Sequence, residues 1–273
     1  MIPAPFDYEV AESAEEAVEL LGSQEDAKLL AGGHSLLPLM RLRFARPALL
    51  VDIGGIGDLR FVRDAGDRLA IGALTRHRDL QTDPLLQEHC PIVSHTAGLI
   101  GDPQVRHRGT IGGSVAHGDP ASDLPTVLVA LDAELVARGP GGERAIAASE
   151  FFRGVFETAL GPQEVLTEVR VPKLGEAGWA YLKFSRRAQD WATVGVAAVV
   201  NGDARIALTS MGPTPVRARA AEESFSSGGA EAAAAVADEG SDPPSDTGGS
   251  AEYRRELARV LTRRALEEAV SRR

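Results

Sequence analysis

Two glycine-bearing segments hold the residues best suited to chemistry. The first, Leu29 to Pro38, contains Leu30, Ala31, Gly32, Gly33, His34, Ser35 and Leu36. It reads as a strand that breaks at the two glycines into a helix started by Ser35, with Pro38 in the first turn, where its missing N–H is no loss. Amides left unpaired at such a break can hold a phosphate. The second, Gly109 to Pro125, contains Thr110, Ile111, Gly112, Gly113, Ser114, His117 and Asp123. Ser122-x-x-Pro125 repeats the helix start of Ser35-x-x-Pro38, so two glycine loops are each expected to feed a helix N-terminus, an arrangement suited to a diphosphate. Gly112 and Gly113 permit close backbone approach, and Asp123 is an acceptor for the hydroxyls of a ribose or ribityl chain. Each loop taken alone reads equally well as a tight turn. No G-x-G-x-x-G and no G-x-x-x-x-G-K-[ST] occurs, which argues against a Rossmann or P-loop site.

The remaining candidates are weaker. His77, His89, His95 and His107 lie among arginines without metal-ligand spacing and read as surface residues. His117 has two open readings, a hydrogen bond to backbone or water and a ligand contact. Cys90 follows His89, which could activate it, but no nucleophile motif surrounds it and a buried idle thiol is expected. Arginines 41, 43 and 46, with 106 and 108, read as solvated faces, their alternative being docking to acidic partner surfaces.

These segments need a scaffold, and the chain is long enough to supply one: 273 residues, 44% hydrophobic and 25% charged. The net charge of -10 opposes nucleic acid and anionic lipid, and 5% aromatic content leaves few stacking surfaces for single strands. One cysteine cannot form an intrachain disulfide or hold an iron–sulfur cluster, so any cluster belongs to another chain. No run approaches a membrane span, and the N-terminal residues lack a secretory pattern, so a cytoplasmic location is expected.

Ser13 and Glu16 form a capping box before a helix ending near Gly22. Lys28 to Ala31, Ala48 to Ile53, Leu69 to Ala73, Glu134 to Ala137 and Val165 to Val171 read as strands, with Gly139 to Gly142 turning Leu135 back toward Ile146. A Pro/Gly linker from Pro172 to Gly178 precedes strand candidates at Tyr181–Phe184, Val194–Val200 and Ile206–Thr209. Residues 226–250 suggest a surface helix and a flexible loop, and Ser250 to Val270 an amphipathic terminal helix with its charges in water.

At both glycine segments the chain resembles the FAD-binding medium subunits of molybdenum hydroxylases, the carbon monoxide dehydrogenase and xanthine dehydrogenase type. Ala31-Gly-Gly-His-Ser-Leu-Leu-Pro38 and Thr110-Ile-Gly-Gly-Ser114 with Asp119-Pro120 and Asp123 stand in the family's order. The likeness continues through Asp102-Pro-Gln-Val-Arg106, Tyr181 to Val199 with Lys183 and Ser185-Arg186-Arg187, and Gly249 to Arg255. It implies an α+β fold: a two-part FAD-binding domain of the p-cresol methylhydroxylase type over 1–175, with subdomains about 1–57 and 58–175, then a C-terminal α/β domain with a small sheet over 176–273. It also implies non-covalent FAD, its diphosphate on Leu30 to Leu36 and Thr110 to Ser114, Asp123 on polyol hydroxyls and Lys183 near the isoalloxazine.

The implied partners are a small subunit carrying [2Fe-2S] clusters, a large molybdopterin subunit and an external electron acceptor. The rival readings are a stand-alone flavoprotein oxidase or reductase, which would need an acid/base residue of its own, and a non-catalytic assembly protein whose glycine loops are only turns.

Overall fold

The computed structural model describes residues 2–273, so Met1 lies outside the described residues. The chain opens with β1 (Asp7–Val10), α1 (Ala14–Ser23), β2 (Lys28–Leu30), α2 (Leu36–Arg41) and β3 (Leu49–Asp52). The three strands form a parallel sheet in the order β1-β3-β2. The Ser13 hydroxyl caps α1 by accepting from the Glu16 amide, whereas the Glu16 carboxylate accepts from Glu12 rather than from Ser13, so the expected box closes one residue early. Ala17, Val18 and Leu21 seal the helix onto Leu49, Val51 and Ile53 of the sheet.

A second, antiparallel sheet follows, built from β4 (Val62–Asp64) and β5 (Arg68–Gly72), then, after six short helices, from later strands. The helices are α3 (His77–Thr82), α4 (Pro84–His89), α5 (Pro91–Gly98), α6 (Pro103–Arg108), α7 (Ile111–His117) and α8 (Asp123–Ala130). Next come β6 (Glu134–Gly139), β7 (Gly142–Ala147), α9 (Ala148–Phe151), the hairpin β8 (Phe152–Gly154) with β9 (Glu157–Thr158), and β10 (Val165–Pro172). The sheet runs β4-β5-β10-β6-β7, and Leu135 faces Ile146 across the expected hairpin.

The third sheet comprises β11 (Gly178–Phe184), β12 (Val194–Asn201), β13 (Asp203–Thr209) and β14 (Val216–Arg217), followed by α10 (Arg219–Ala235) and α11 (Ala251–Ser271). Both faces of this sheet are covered, which is why β12 is buried almost throughout. Ala180, Val196, Ala198, Ile206 and Leu208 pack against α10 and α11. The alternate residues Tyr181, Ala197, Val199 and Ala207 join the core of the second sheet and its helices.

Two expectations for the C-terminal region need correction. The helix expected within 226–250 begins earlier, at Arg219, and kinks at Gly229 (φ 65°), where only glycine is unstrained. The charges of α11 do not all face water. Arg254 is buried, donating to the Thr193 carbonyl and, at 2.6 Å, to Asp246. That contact also ties down the segment expected to be a flexible loop, in which Asp246 and Gly249 bridge each other.

Candidate functional site

The first glycine segment behaves as its sequence suggests, with one exception. β2 ends at Leu30, and α2 begins at Leu36 with Pro38 in its first turn, but the Ser35 hydroxyl caps nothing. Ser35 already has helical backbone angles (φ -104°, ψ -52°), so its side chain is not swung back toward the first-turn amides as an extended cap would be. The amides of Gly32, Gly33, His34, Ser35 and Leu36 make no hydrogen bond within the chain among the described residues.

The second segment is a helix where a loop was expected. Gly112 and Gly113 lie in the first turn of α7, capped by Thr110. Its leading amides are all engaged: Ile111 donates to Thr75 O at 3.0 Å, Gly112 to Ala73 O at 2.8 Å, Gly113 to Thr110 Oγ1 at 3.1 Å and Ser114 to Thr110 O at 3.0 Å. An anion grip by open amides therefore belongs to the first segment alone. The second contributes shape instead: a Cβ on Gly112 would stand 2.5 Å from Ala73 Cβ and 2.6 Å from Ala73 O, so only glycine lets α7 lie this close to the end of β5. Ser122 likewise precedes α8 without capping it through its side chain.

The two segments meet. A Cβ on Gly32 would run into the carbonyl oxygen of Arg108 and lie 2.8 Å from Gly109 Cα, and one on Gly113 would point at Ala31, 3.9 Å from its Cβ. Beside this seam opens a cleft of about 300 Å³ lined by Ala31, Thr110, Asp52 and Leu74 and by Arg60, Arg76 and Arg108. Open amides, a backbone contact that excludes any side chain and a cation-rich cleft together fit a phosphorylated nucleotide.

Asp123, at the first turn of α8, is nearly inaccessible at 6% exposure, and each carboxylate oxygen has a donor. Tyr181 Oη donates to Oδ1 at 2.6 Å and Lys183 Nζ to Oδ2 at 3.0 Å. Burial pushes the Asp123 carboxyl upward against the pull of Lys183 and Tyr181. Burial and Asp123 hold the Tyr181 hydroxyl well above its ordinary value, so that it stays a donor. Thr209 lies 3.3 Å from the same hydroxyl and bonds Thr126 at 2.8 Å, extending the network back into α8. Sequence reasoning found Lys183 and missed Tyr181, although positions two apart on a strand share a face and would have signalled it. It also missed Arg60, Arg76 and Asp52.

Other candidates scatter. His34 is exposed at the first loop, and His117 is half-buried with its ring 4.8 Å from that of Phe156. Cys90 is buried, its thiol pushed up to about 12 by burial, and is therefore inert. Among the described residues no cluster of metal-ligating side chains occurs.

His77 is not a surface residue. It is packed beneath Gly109 with Nδ1 unpartnered, and burial pushes its imidazole down to about 4, with His34 and Arg106 adding to the shift. Its value in the folded chain lies below the ordinary 6.5, so the contribution to stability is complete above pH 6.5 and is lost as pH falls through 6.5 toward 4. The loss amounts to about 3 kcal/mol. We expect the melting temperature of His77→Met to fall less between pH 7.5 and pH 4.5 than that of the unaltered chain. Parallel falls in thermal scans at the two pH values would refute the assignment.

Residues 4–174 match the family model described as the FAD binding domain in molybdopterin dehydrogenase, and residues 179–269 the CO dehydrogenase flavoprotein C-terminal domain. The chain is 44% identical over 285 residues to the carbon monoxide dehydrogenase medium chain of Hydrogenophaga pseudoflava, covering 100% of this chain and 99% of that one. It is 43% identical over 286 residues to subunit alpha of the 6-hydroxypseudooxynicotine dehydrogenase complex of Paenarthrobacter nicotinovorans, covering 100% and 97%. Its fold superposes with a TM-score of 0.96 on a chain of the solved carbon monoxide dehydrogenase from Hydrogenophaga pseudoflava, at 46% identity and with 100% and 99% of the two chains covered.

Proposed function

The chain belongs to the FAD-binding medium subunits of the molybdenum hydroxylase family, and we propose that it takes electrons from iron–sulfur clusters of a small partner subunit and passes them to an external acceptor. The observation that carries this reading is the row of open amides from Gly32 to Leu36 set against the Gly109–Ser114 segment, in a chain with a single, buried cysteine. The chain can hold a flavin but no cluster, so the electrons must come from a neighbour. A large molybdopterin subunit would carry the substrate chemistry.

Bound FAD supplies the redox chemistry, since a flavin accepts electrons singly and releases them in ones or twos. The chain's own residues bind and orient. The amides of Gly32 to Leu36 would receive the diphosphate oxygens, with Ser35, Thr110, Ile111 and Ser114 beside them, and the arginine-lined cleft would take the adenosine end. Asp123 accepts one hydrogen bond on each oxygen and retains acceptor capacity for a polyol hydroxyl, while it fixes the Lys183 ammonium at the edge of the third sheet. With FAD bound, that ammonium would offer a fixed positive charge to the isoalloxazine. No residue is required as a general base, because the transfer is of electrons.

The substrate is not written in this chain. Relatives named for carbon monoxide and for 6-hydroxypseudooxynicotine are nearly equally similar to this chain, at 44% and 43% identity. The purified chain is expected to carry one non-covalent flavin that acid precipitation releases into the supernatant as FAD. Chromatography of the supernatant checks it, and FMN, or flavin retained in the pellet, would overturn it. In the assembled complex the flavin should bleach anaerobically on adding substrate, and in the isolated chain it should not.

A further inference from the structure

We propose that Tyr181 is a positioning residue for the flavin, its hydroxyl fixing the Asp123 carboxylate for a polyol hydroxyl of FAD and for Lys183. The proposal deepens the reading above and rests on its placement of Asp123. Tyr181 is only 1% exposed, so it acts through Asp123 and not on the ligand.

β12 is shaped around this hydroxyl. Gly195, the one glycine in that strand, pairs with Lys183 on one side and with Thr209 on the other. A Cβ there would stand 2.6 Å from Tyr181 Oη and 2.9 Å from Thr209 Oγ1. Glycine weakens a strand interior, and here its missing side chain is the space that the phenol oxygen fills. The ring itself lies in an apolar core with Ala197, Val199 and Ala207, where an oxygen without partners would be costly.

Burial favours the protonated form of Asp123, and three groups that face it act on its charge. Lys183 and Tyr181 of β11 favour the carboxylate, and Asp119, in the loop before α8, opposes it. The other elements packed on α8 leave this balance alone. β12 carries no charged side chain, and β13 carries Asp203 and Arg205 only toward its far end. α7 ends at His117, which is drawn to Asp119, while His95 of α5 and Glu150 of α9 are exposed. Arg217 of β14 meets the opposite end of α8, at the Val129 carbonyl and Asp132. With FAD bound, Lys183 divides its charge between Asp123 and the isoalloxazine, whereas Tyr181 has no other carboxylate to serve.

A neutral carboxyl accepts a weaker hydrogen bond than an ionised one, so FAD binding favours ionised Asp123. Affinity therefore falls as pH drops through the range in which Asp123 of the free chain takes up a proton, and loss of the Tyr181 hydroxyl moves that range upward.

The test titrates the FAD-stripped full chain with FAD, followed by flavin fluorescence, in steps from pH 8 to pH 5.5. The parent is compared with Tyr181→Phe, which keeps the ring in its packing, with Thr209→Val and with Asp123→Asn. Each variant is read as the ratio of its Kd to that of the parent at the same pH, which cancels the histidines that all four chains share. For Tyr181→Phe the ratio is expected to grow by about threefold or more from pH 8 to pH 5.5, the limit for one proton being about tenfold per pH unit. Thr209→Val removes a hydroxyl from the same network without touching Asp123, and its ratio should be the same at every pH. Both hydroxyl deletions lower the melting temperature, but only the one at Asp123 bends the pH profile. Asp123→Asn should bind roughly tenfold more weakly at pH 8. A constant ratio for Tyr181→Phe, with Asp123→Asn weakened, overturns the proposal and leaves the tyrosine a packing residue. Asp123→Asn binding as tightly as the parent overturns the placement of Asp123 on the polyol, and the proposal with it.

Discussion

Gly32→Ala is expected to leave a folded chain that has lost most of its FAD. The new methyl group would meet the Arg108 carbonyl and stand 2.8 Å from Gly109 Cα, and both obstacles are backbone, so no side-chain rotation relieves the clash. α6 cannot easily yield either, because Asp102 caps it at 2.9 Å and the Arg106 guanidinium holds the Ile100 and Gly101 carbonyls. The first loop must therefore swing outward, and its amides leave the seam. Overpacking of this kind costs about 1–3 kcal/mol. Placed on the bound state, that is a weakening of roughly ten- to a hundredfold in FAD affinity. Titration of the apo chain with FAD measures it. Gly141→Ala is the matched control, since it adds the same methyl in the hairpin turn outside the cleft, where nothing lies within 4 Å, and it should bind as the parent does. Equal affinity of Gly32→Ala and the parent would show that the seam is not the binding site.

The largest loss of stability is expected from Asp123→Ala. It strands the Lys183 ammonium, whose side chain is only 9% exposed, and leaves the buried Tyr181 hydroxyl without its acceptor. Breaking a buried pair from one side costs about 3–5 kcal/mol, which for a chain of this size is a fall of roughly 10 °C in melting temperature. Lys183→Met should cost less, because Asp123 keeps the Tyr181 bond and can protonate, a change its burial already favours. His34→Ala, at an exposed imidazole, should leave the melting temperature unchanged. Thermal scans of the three variants settle the order, and an Asp123→Ala chain as stable as His34→Ala would remove Asp123 from the structural core of the site. FAD content measured in parallel should fall in the same order.

The strands and the terminal helix were legible because their signals are local. The turn from Gly139 to Gly142 sets the pairing of Leu135 with Ile146, and the apolar runs of β12 and β13 announce a sheet covered on both sides. What could not be read was set by distant partners. Gly112 and Gly113 suggest a loop by propensity, yet the carbonyls of Ala73 and Thr75 hold their turn helical. Arg254 looks like one more solvated charge until Asp246 and the Thr193 carbonyl close over it. His77 looks exposed among its polar neighbours, and Gly109 covers it. The candidate site divided in the same way. Composition marked the glycines and Asp123, and the family resemblance pointed to Lys183, but only folding could show that Asp123 is already bound by Tyr181 and Lys183, or that one glycine segment offers amides while the other has spent them.

The largest apolar cluster does not respect the boundary between the segments matched by the two family models. Tyr181, Ala197, Val199 and Ala207 of the third sheet lie in one cluster with Leu69, Ile71, Leu124 and Val127 of the preceding region. Cutting the chain in the linker near residue 175 would expose that surface on both fragments, so neither half inherits a complete interior. One interior thus serves both matched segments, and the two are expected to melt together. A lesion at the C-terminal end reaches the flavin loops by lowering the stability of the whole, without touching any residue that binds.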